Sequence, residues 1–546
     1  MPKKLLILFL CFTSFVYAQN TVGTISVTND VYDGFTLFSI HEKSYLIDNC
    51  GKVINEWTSE FRPGNAVYLL PDGKLLRAGK EDGNSTITFG GTGGVVELFD
   101  WDGALLWQYK YNTNDYRQHH DVYPMPNGNV LILAATVMTQ AEAIQAGRNP
   151  NLLEDGELYN ERIFEVEPVG TDQVNVVWEW NVKDHLVQDI DNTKDNFGGI
   201  SNNPGRLNVN FINDAGAGAN WLHINSIQYD EALDQIVISS RNLSELWIID
   251  HSTTTAEAAS SSGGTYGKGG DFLYRWGNPQ AYNHGLESDR LLYGQHYPHF
   301  IGAGLVDEGK LIIFNNGNGR TPVYSEVLII DPPTTSPGVY AYTTLVPYGP
   351  VNSDYSYSDQ TNDPSDFFSS IVSSAQRLPN GNILVCQGSS GRFFELNPSN
   401  EIVWEYINPV HNNNGTVYNQ TETATGNTTF RAIKYSKSYS AFTGRDLTPG
   451  IPIEGNPDLT PCATLGIENQ LISNNFKVYP NPAKNSLTIS LNTLVQKAEI
   501  YSVLGLKVRD YESIKELDVT NLTSGVYILK VYAENQVFTK KILIDK

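Results

Sequence analysis

The chain has 546 residues, 40% of them apolar and 11% aromatic, and carries a formal net charge of −23 at pH 7. That length exceeds one ordinary core and asks for two domains or one large repeat architecture, while the composition excludes a disordered chain. The acidic balance excludes general binding to nucleic acid or to anionic membranes, so an anionic ligand has to be held by local positive groups.

Residues 1–18 read as a signal peptide: Lys3 and Lys4 form a charged start, Leu5 to Val16 a short apolar run, and Ala18 the small residue before a cut at Gln19. That run is too short to cross a membrane, and no later stretch reaches the roughly 20 apolar residues a transmembrane helix needs. Export leaves Cys50, Cys386 and Cys462, an odd number with no metal-ligand spacing. One disulfide with one free thiol and three buried thiols both remain open.

From about residue 22 one module recurs. A short apolar stretch turns through Pro-Asp-Gly or Pro-Asn-Gly and returns as a β-branched strand, at Pro71-Asp72-Gly73, Pro126-Asn127-Gly128 and Pro379-Asn380-Gly381. Asn-Gly and Asp-Gly between apolar runs mark hairpins, because glycine accepts the positive φ of the tight turn. Looser copies run from His223 to Ser240 and from His296 to Phe314. A second module follows each copy, two strands of which the second ends on an aromatic residue: Trp57, Trp107, Trp180, Trp276, about Tyr342, and Trp404. Paired, the modules give four-stranded units of roughly 40–60 residues, the spacing of a β-propeller. The first unit lacks its innermost strand, which Phe430–Tyr435 supplies from the far end, closing the ring and removing a sheet edge. The expected fold is all-β, a six-bladed propeller over about residues 22–445. Insertions at 81–94, 137–160, 183–219, 252–270 and 346–368 are longer than turns require.

Residues 446–473 read as a linker, and about 474–546 as a small β-sandwich with strand signals at Phe476–Tyr479, Ser486–Leu491, Ala498–Ser502, Lys515–Val519, Gly525–Tyr532 and Gln536–Ile544. This unit resembles the C-terminal sorting domain of the type IX secretion system of the Bacteroidetes. The resemblance rests on Val478-Tyr479-Pro480-Asn481-Pro482, on Ile500 to Gly505, on Leu522 to Tyr527 and on Lys540-Lys541. It implies export across the outer membrane by the type IX machinery, leaving the protein secreted or at the cell surface.

The histidines follow the same repeat. In a blade the innermost strand runs beside the channel and the second returns antiparallel, so the end of the second lies near the start of the first. His120, His223 and His296 stand at starts of innermost strands, and Arg241 ends the second strand of His223's blade. Asn225, two residues after His223, shares its strand face. Three imidazoles, a guanidinium and a carboxamide therefore converge at one mouth of the channel. Arginine suits sulfate, phosphate or carboxylate, and a histidine near neutrality can donate, accept or attack. No zinc spacing, phosphate loop or carboxylate pair stands out, so no metal and no cofactor is expected. The set suits transfer of an oxyanion group through a histidine intermediate.

Residues of about 25–445 resemble a bacterial aryl-sulfate sulfotransferase. The matching segments are Tyr45–Asp48 with Glu56-Trp57, His119-His120-Asp121, Trp221–Ser226 with Ser239–Arg241, Arg275–Asn278, Gly294-Gln295-His296 and Phe314–Gly317. The resemblance implies a six-bladed propeller that moves a sulfuryl group from a phenolic sulfate ester to a phenol without a nucleotide donor. It implies ping-pong transfer with His296 as the nucleophile, while Arg241, His223 and Asn225 hold the sulfuryl oxygens. His120 would serve as acid and base, with His119 its rival for that role. The same mouth would also serve a non-catalytic secreted propeller that binds a sulfated or carboxylated ligand at the cell surface.

Overall fold

The computed structural model describes residues 20–546 apart from 84–85, 215, 360–363, 464–475, 492–493, 503–505, 513–514 and 534–535. The expected signal peptide lies outside the described residues. Two compact units emerge, one ending at Leu459 and the other spanning Thr460–Lys546.

The first unit is all-β, built of small antiparallel sheets in the manner of a propeller. Its first sheet sets Ala432–Ser436 beside Gly34–Ile40, followed by Lys43–Ile47 and Val53–Thr58. The strand expected to return from the far end of the chain is therefore in place. The second sheet runs Arg62–Leu69, Leu75–Lys80, Gly94–Phe99, Leu105–Lys110; the third runs Tyr116–Pro124, Val130–Thr139, Glu157–Val169, Gln173–Asn181. The fourth is Ile224–Asp230, Gln235–Ser240, Glu245–Asp250, Tyr274–Trp276, and the fifth His296–Phe300, Leu311–Asn315, Glu326–Ile330, Tyr355–Tyr357. The sixth holds Ser374–Arg377, Ile383–Gln387, Arg392–Leu396 and Ile402–Ile407, with Gly23–Val27 paired antiparallel to its outer edge as a fifth strand. The first strands of these sheets pack against one another in chain order, and Gly34–Ile40 meets Arg62–Leu69 to complete the circuit.

Two sequence expectations need correction. The outer strand of the fifth sheet is Tyr355–Tyr357 rather than a strand ending near Tyr342. Thr334–Ser336 and Val339–Tyr340 pair only with each other, so the stretch expected as loop at 346–368 carries the outer strand. The strand Gly23–Val27 was not anticipated, because its two half-buried residues break the period-2 pattern.

The aromatic strand ends do a common job. The indole of Trp57 donates to Asp100 O, Trp107 to Gln173 O, Trp180 to Gly270 O, Trp276 to Pro350 O and Trp404 to Asn49 O, each at 2.8–3.1 Å. Each bond reaches forward into the next sheet or the segment leading to it, and the last joins the sixth sheet to the first. A buried indole N–H without a partner is costly, so one side chain both fills the inter-sheet core and fixes its neighbour's position.

The second unit has two sheets, Lys477–Tyr479 with Ser486–Ser490 and Glu516–Asp518, and Lys507–Glu512 with Val495–Ser502, Gly525–Ala533 and Gln536–Ile544. Val478, Leu487 and Leu517 of one sheet share a core with Ala498, Ile500, Leu529 and Ile542 of the other. Sequence reading missed Lys507–Glu512, which is mostly exposed and charged. Cys386 in the first unit is a free, buried thiol.

Candidate functional site

The innermost strands of the second to fifth sheets share a local irregularity. Each shifts register near its start, and a non-glycine residue there takes the left-handed conformation: Asn65 (φ 94°), His120 (φ 50°), His223 (φ 48°) and Tyr297 (φ 54°). Such residues cost about 1–3 kcal/mol each and persist where the surroundings over-determine them. By this measure the counterpart of His120 and His223 in the fifth sheet is Tyr297. His296 opens its strand as expected, and relative to the left-handed residue it stands where His119 does.

The irregular starts bring the rings together. The rings of His120 and His223 lie 4.7 Å apart between centroids, and those of His119 and His120 5.2 Å. Phe430, just before Ala432–Ser436, touches both His120 (6.2 Å) and His296 (6.4 Å). Arg241 follows Gln235–Ser240, and its N–H donates to His223 O at 3.2 Å. A Cβ built on Gly294 would lie 3.8 Å from Arg241 Cγ, so the guanidinium stem rests against the turn that delivers His296. Above them the ring of Phe89, from the loop at 81–94, contacts His119, His120 and His223 at 5.0, 6.1 and 5.6 Å. Gly91 (φ 87°) is needed there, because a Cβ would overlap the His120 ring.

The hydrogen bonds assign each ring a tautomer. Glu161 accepts the Ile224 N–H on Oε1 (3.2 Å) and faces His119 Nε2 with Oε2 (2.7 Å). A carboxylate only accepts, so His119 Nε2 carries a proton, and when that is the ring's one proton Nδ1 is an acceptor. His119 Nδ1 meets His120 Nδ1 at 2.9 Å; His120 donates there and keeps the lone pair on Nε2. His296 donates Nδ1–H to Asn316 Oδ1 at 2.7 Å, with Asn316 fixed by donating to Ser369 O and Val372 O, so Nε2 of His296 also keeps its lone pair. Asn220 donates its amide to His223 Nδ1 at 2.7 Å, which leaves His223 Nε2–H as a donor.

Electrostatics reinforce this division. Burial, then the Arg241 charge, holds His296 down to about 3. Burial pushes His120 and His223 well below the usual histidine range, helped by the neighbouring imidazoles and Arg241. All three are therefore neutral near pH 7. Arg241 is half-buried, donates to Asn242 Oδ1 at 3.0 Å and makes no salt bridge among the described residues, so most of its donor face is uncommitted. Asn225 is wholly buried, donates to Gln295 O at 2.8 Å and leaves Oδ1 without a partner. An amide turned toward a backbone carbonyl fixes the Gln295–His296 peptide; its carbonyl oxygen cannot donate to an oxyanion.

All six residues singled out from the sequence thus fall in one region: His119, His120, His223, Arg241 and His296 as an electrostatically coupled set, and Asn225 beneath it. Sequence reading missed the part that Glu161, Asn316, Asn220, Phe89 and Phe430 play in the site. Asn220 stands only three residues before His223 and was the one within reach of inspection. The channel is closed below the cluster by Arg431, which donates to both Asp121 oxygens (2.9 and 3.3 Å) and to Tyr68 Oη (2.5 Å) and stacks on Tyr297 at 3.7 Å. A pocket of about 710 Å³ lies on the other side of this plug, at the far ends of the same innermost strands.

Comparison with known proteins bears on both units. Residues 21–435 match the family model described as Arylsulfotransferase (ASST), and residues 477–545 match the Secretion system C-terminal sorting domain. The second match marks the chain for type IX secretion to the cell surface or beyond. Among the described residues no helix is long and apolar enough to cross a membrane. No curated protein matches the chain. Among solved structures it is similar to a protein of unknown function from Bacteroides caccae (10% identity, TM-score 0.38, covering 74% of this chain and 98% of that one). It is also similar to the periplasmic gluconolactonase PpgL of Pseudomonas aeruginosa (11% identity, TM-score 0.34, covering 68% and 96%).

Proposed function

We propose a transfer chemistry that proceeds from one premise: over residues 21–435 the chain belongs to the arylsulfotransferase family. Family membership supports sulfotransfer between small phenolic molecules. Our reading is finer. The chain is a six-bladed β-propeller over about residues 22–445, joined through 446–473 to a C-terminal β-sandwich at 474–546. It moves a sulfuryl group from a phenolic sulfate ester to a phenol through a sulfohistidine.

The observation that carries this reading is the tautomer set. His296 and His120 each present a lone pair on Nε2, whereas His223 presents an N–H and Arg241 an open guanidinium. A nucleophile, a base and two oxyanion donors are what an acid–base-assisted displacement at sulfur requires. In the first half-reaction His296 Nε2 attacks sulfur, the Nε2–S bond forms, and the S–O bond to the aryl group breaks. Charge developing on the sulfuryl oxygens is met by Arg241 and by His223 Nε2–H. Burial keeps the free His120 neutral, and the anionic ester bound beside Arg241 brings a negative charge that favours its protonated form. His120 takes up a proton on donor binding, gives it to the departing phenolate, and regains one from the accepting phenol. In the second half-reaction the phenol oxygen attacks sulfur and the Nε2–S bond breaks, restoring His296. His119 positions His120, and Asn225 positions His296 through Gln295.

The test is incubation with 4-nitrophenyl sulfate and a phenol acceptor. The expected result is nitrophenol release by the parent chain, a gain of one sulfuryl group by the intact protein without acceptor, and loss of both in His296→Ala. Full release by His296→Ala overturns the mechanism. A parent chain that binds aryl sulfates but never gains mass would favour a non-catalytic binder of sulfated ligands.

A further inference from the structure

The pocket of about 710 Å³ beyond the Arg431 plug is assigned no role by the transfer chemistry. It is built from the ends of the innermost strands whose beginnings carry the histidines, so it lies on the same axis. Its wall is an arc of phenol rings: Tyr68 and Tyr123 lie 5.7 Å apart between centroids, Tyr123 and Tyr229 6.3 Å, and Tyr297 closes the floor beside them. Burial raises the pKa of all four, so they stay neutral phenols; Arg431 already lies over Tyr297 at 3.7 Å and over Tyr68 at 5.7 Å, so Tyr123 and Tyr229 are the rings not covered by a cation.

The charges around this arc do not balance. Asp230 and Glu231 line the pocket, and neither has a basic partner within salt-bridge distance among the described residues; Asp230 only accepts the Leu233 N–H at 2.8 Å. The cations nearby are already committed. Arg377 is bound to Asp307 and to Gly381 O, and Arg431 to Asp121. His299 opens onto the pocket as a neutral ring, held down to about 4 by burial. The space therefore offers aromatic faces and two uncompensated carboxylates, and no free positive group. That chemistry disfavours an aryl sulfate and suits a cation, which gains from ring quadrupoles and carboxylates together.

We infer that the far mouth of the channel is a second binding site, separate from the histidine cluster, for a small organic cation of the aromatic ammonium class. Arg431 and Asp121 wall it off, so its ligand does not reach the reacting histidines. The inference does not rest on the sulfohistidine reading, and its test is a binding measurement rather than a rate.

The experiment is calorimetric titration of the purified chain with three probes of similar size: benzyltrimethylammonium, benzyl alcohol and benzenesulfonate. Benzyltrimethylammonium is expected to bind saturably and more tightly than the alcohol. Its affinity should fall about two- to fivefold in the Asp230→Asn/Glu231→Gln double variant, whose sites are partly or fully solvent-exposed. Tyr123→Leu should weaken it about three- to thirtyfold through the lost ring face. Arg241→Ala, at the other mouth, should leave it unchanged. The charge-neutralising pair removes no core contact, so it tests the site even if Tyr123→Leu fails to fold. The inference is overturned if the ammonium does not saturate at millimolar concentration, or if its binding ignores the double variant. It is equally overturned if benzenesulfonate binds better than the ammonium in the Arg241→Ala chain.

Discussion

Replacing Glu161 by glutamine tests the site at its most indirect point. Glutamine has the shape of glutamate, and its Oε1 must still accept the Ile224 N–H, so its amide nitrogen is the atom left facing His119 Nε2. An amide donates, so His119 must flip its proton to Nδ1. That proton now points at His120 Nδ1, 2.9 Å away, and His120 becomes the Nε2–H tautomer. A ring with Nε2–H cannot take a proton from the accepting phenol. Positioned acid–base help is worth about 10²–10⁴-fold, or about 2.7–5.5 kcal/mol of barrier. We expect Glu161→Gln to lose that much turnover with a poorly activated acceptor such as phenol, measured as acceptor-dependent 4-nitrophenol release. The first half-reaction with 4-nitrophenyl sulfate should lose far less, because nitrophenolate needs little protonation, so a burst of nitrophenol should survive. The isosteric change should shift the melting temperature by only a few degrees. Steady-state turnover within about threefold of the parent, less than one positioned proton transfer contributes, would refute the relay from Glu161 through His119 to His120.

Other outcomes follow from the same geometry. Gly91→Ala drives a methyl into His120 Nε2 and strains a backbone at φ 87°, so it should remove turnover while aryl-sulfate binding, read by competition, persists in part. Because His296 is held down to about 3, the acid limb of kcat/KM should lie well below the usual histidine value of about 6.5. A limb centred near 6.5 would show that another group carries the attack. Stability behaves in the matching way. His296, His120 and His223 are depressed in the fold, so the unfolded chain binds more protons as pH falls below about 6.5, and stability should decline through that window. Glu454 works oppositely. Both its carboxylate oxygens are buried without partners, and burial raises it to about 7, so the fold favours the protonated form and loses stability as pH rises from about 4.5 through 7. Glu454→Gln should therefore stabilise the chain by about 1–3 kcal/mol at pH 8 and by almost nothing near pH 4, read from melting temperatures at the two values.

What was legible in the sequence was what repeats locally. Asn-Gly and Asp-Gly turns set the hairpins, and strand ends on Trp57, Trp107, Trp180, Trp276 and Trp404 set the outer edges. The convergence of His120, His223, Arg241 and His296 follows from those two periods. The one-residue offset between His296 and His120 has a physical origin: the left-handed residue near the strand starts of the second to fifth sheets adds an irregular step that no alternation pattern carries, and in the fifth sheet it falls on Tyr297. The roles of Glu161, Asn316 and Phe430 were hidden for another reason. Each acts from a different strand, or from a segment leading to one, than the histidine it touches, 42, 20 and more than 100 residues away in the chain. Glu161 sits among ordinary sheet residues, while Asn316 and Phe430 fall in segments the sequence singled out, Phe314–Gly317 and Phe430–Tyr435, with nothing local to show which histidine each would meet. The outer strand Tyr355–Tyr357 escaped because it is short, incompletely buried and preceded by a long excursion.

The tryptophan bonds between neighbouring sheets leave one gap. The fifth sheet ends on Tyr357 rather than an indole; at that edge it meets the sixth through the Tyr357–Phe394 ring contact and the solvent-facing bond from Tyr355 Oη to Asn400 Oδ1. That seam is where thermal breathing of the barrel should begin. Across it, near the axis, Asn316 grips Ser369 O and Val372 O while it orients His296. A single carboxamide thus works as rivet and as rudder: loosening the one joint without an indole bond would misaim the attacking nitrogen before the molecule came apart, and heat should extinguish turnover ahead of any bulk loss of β-structure.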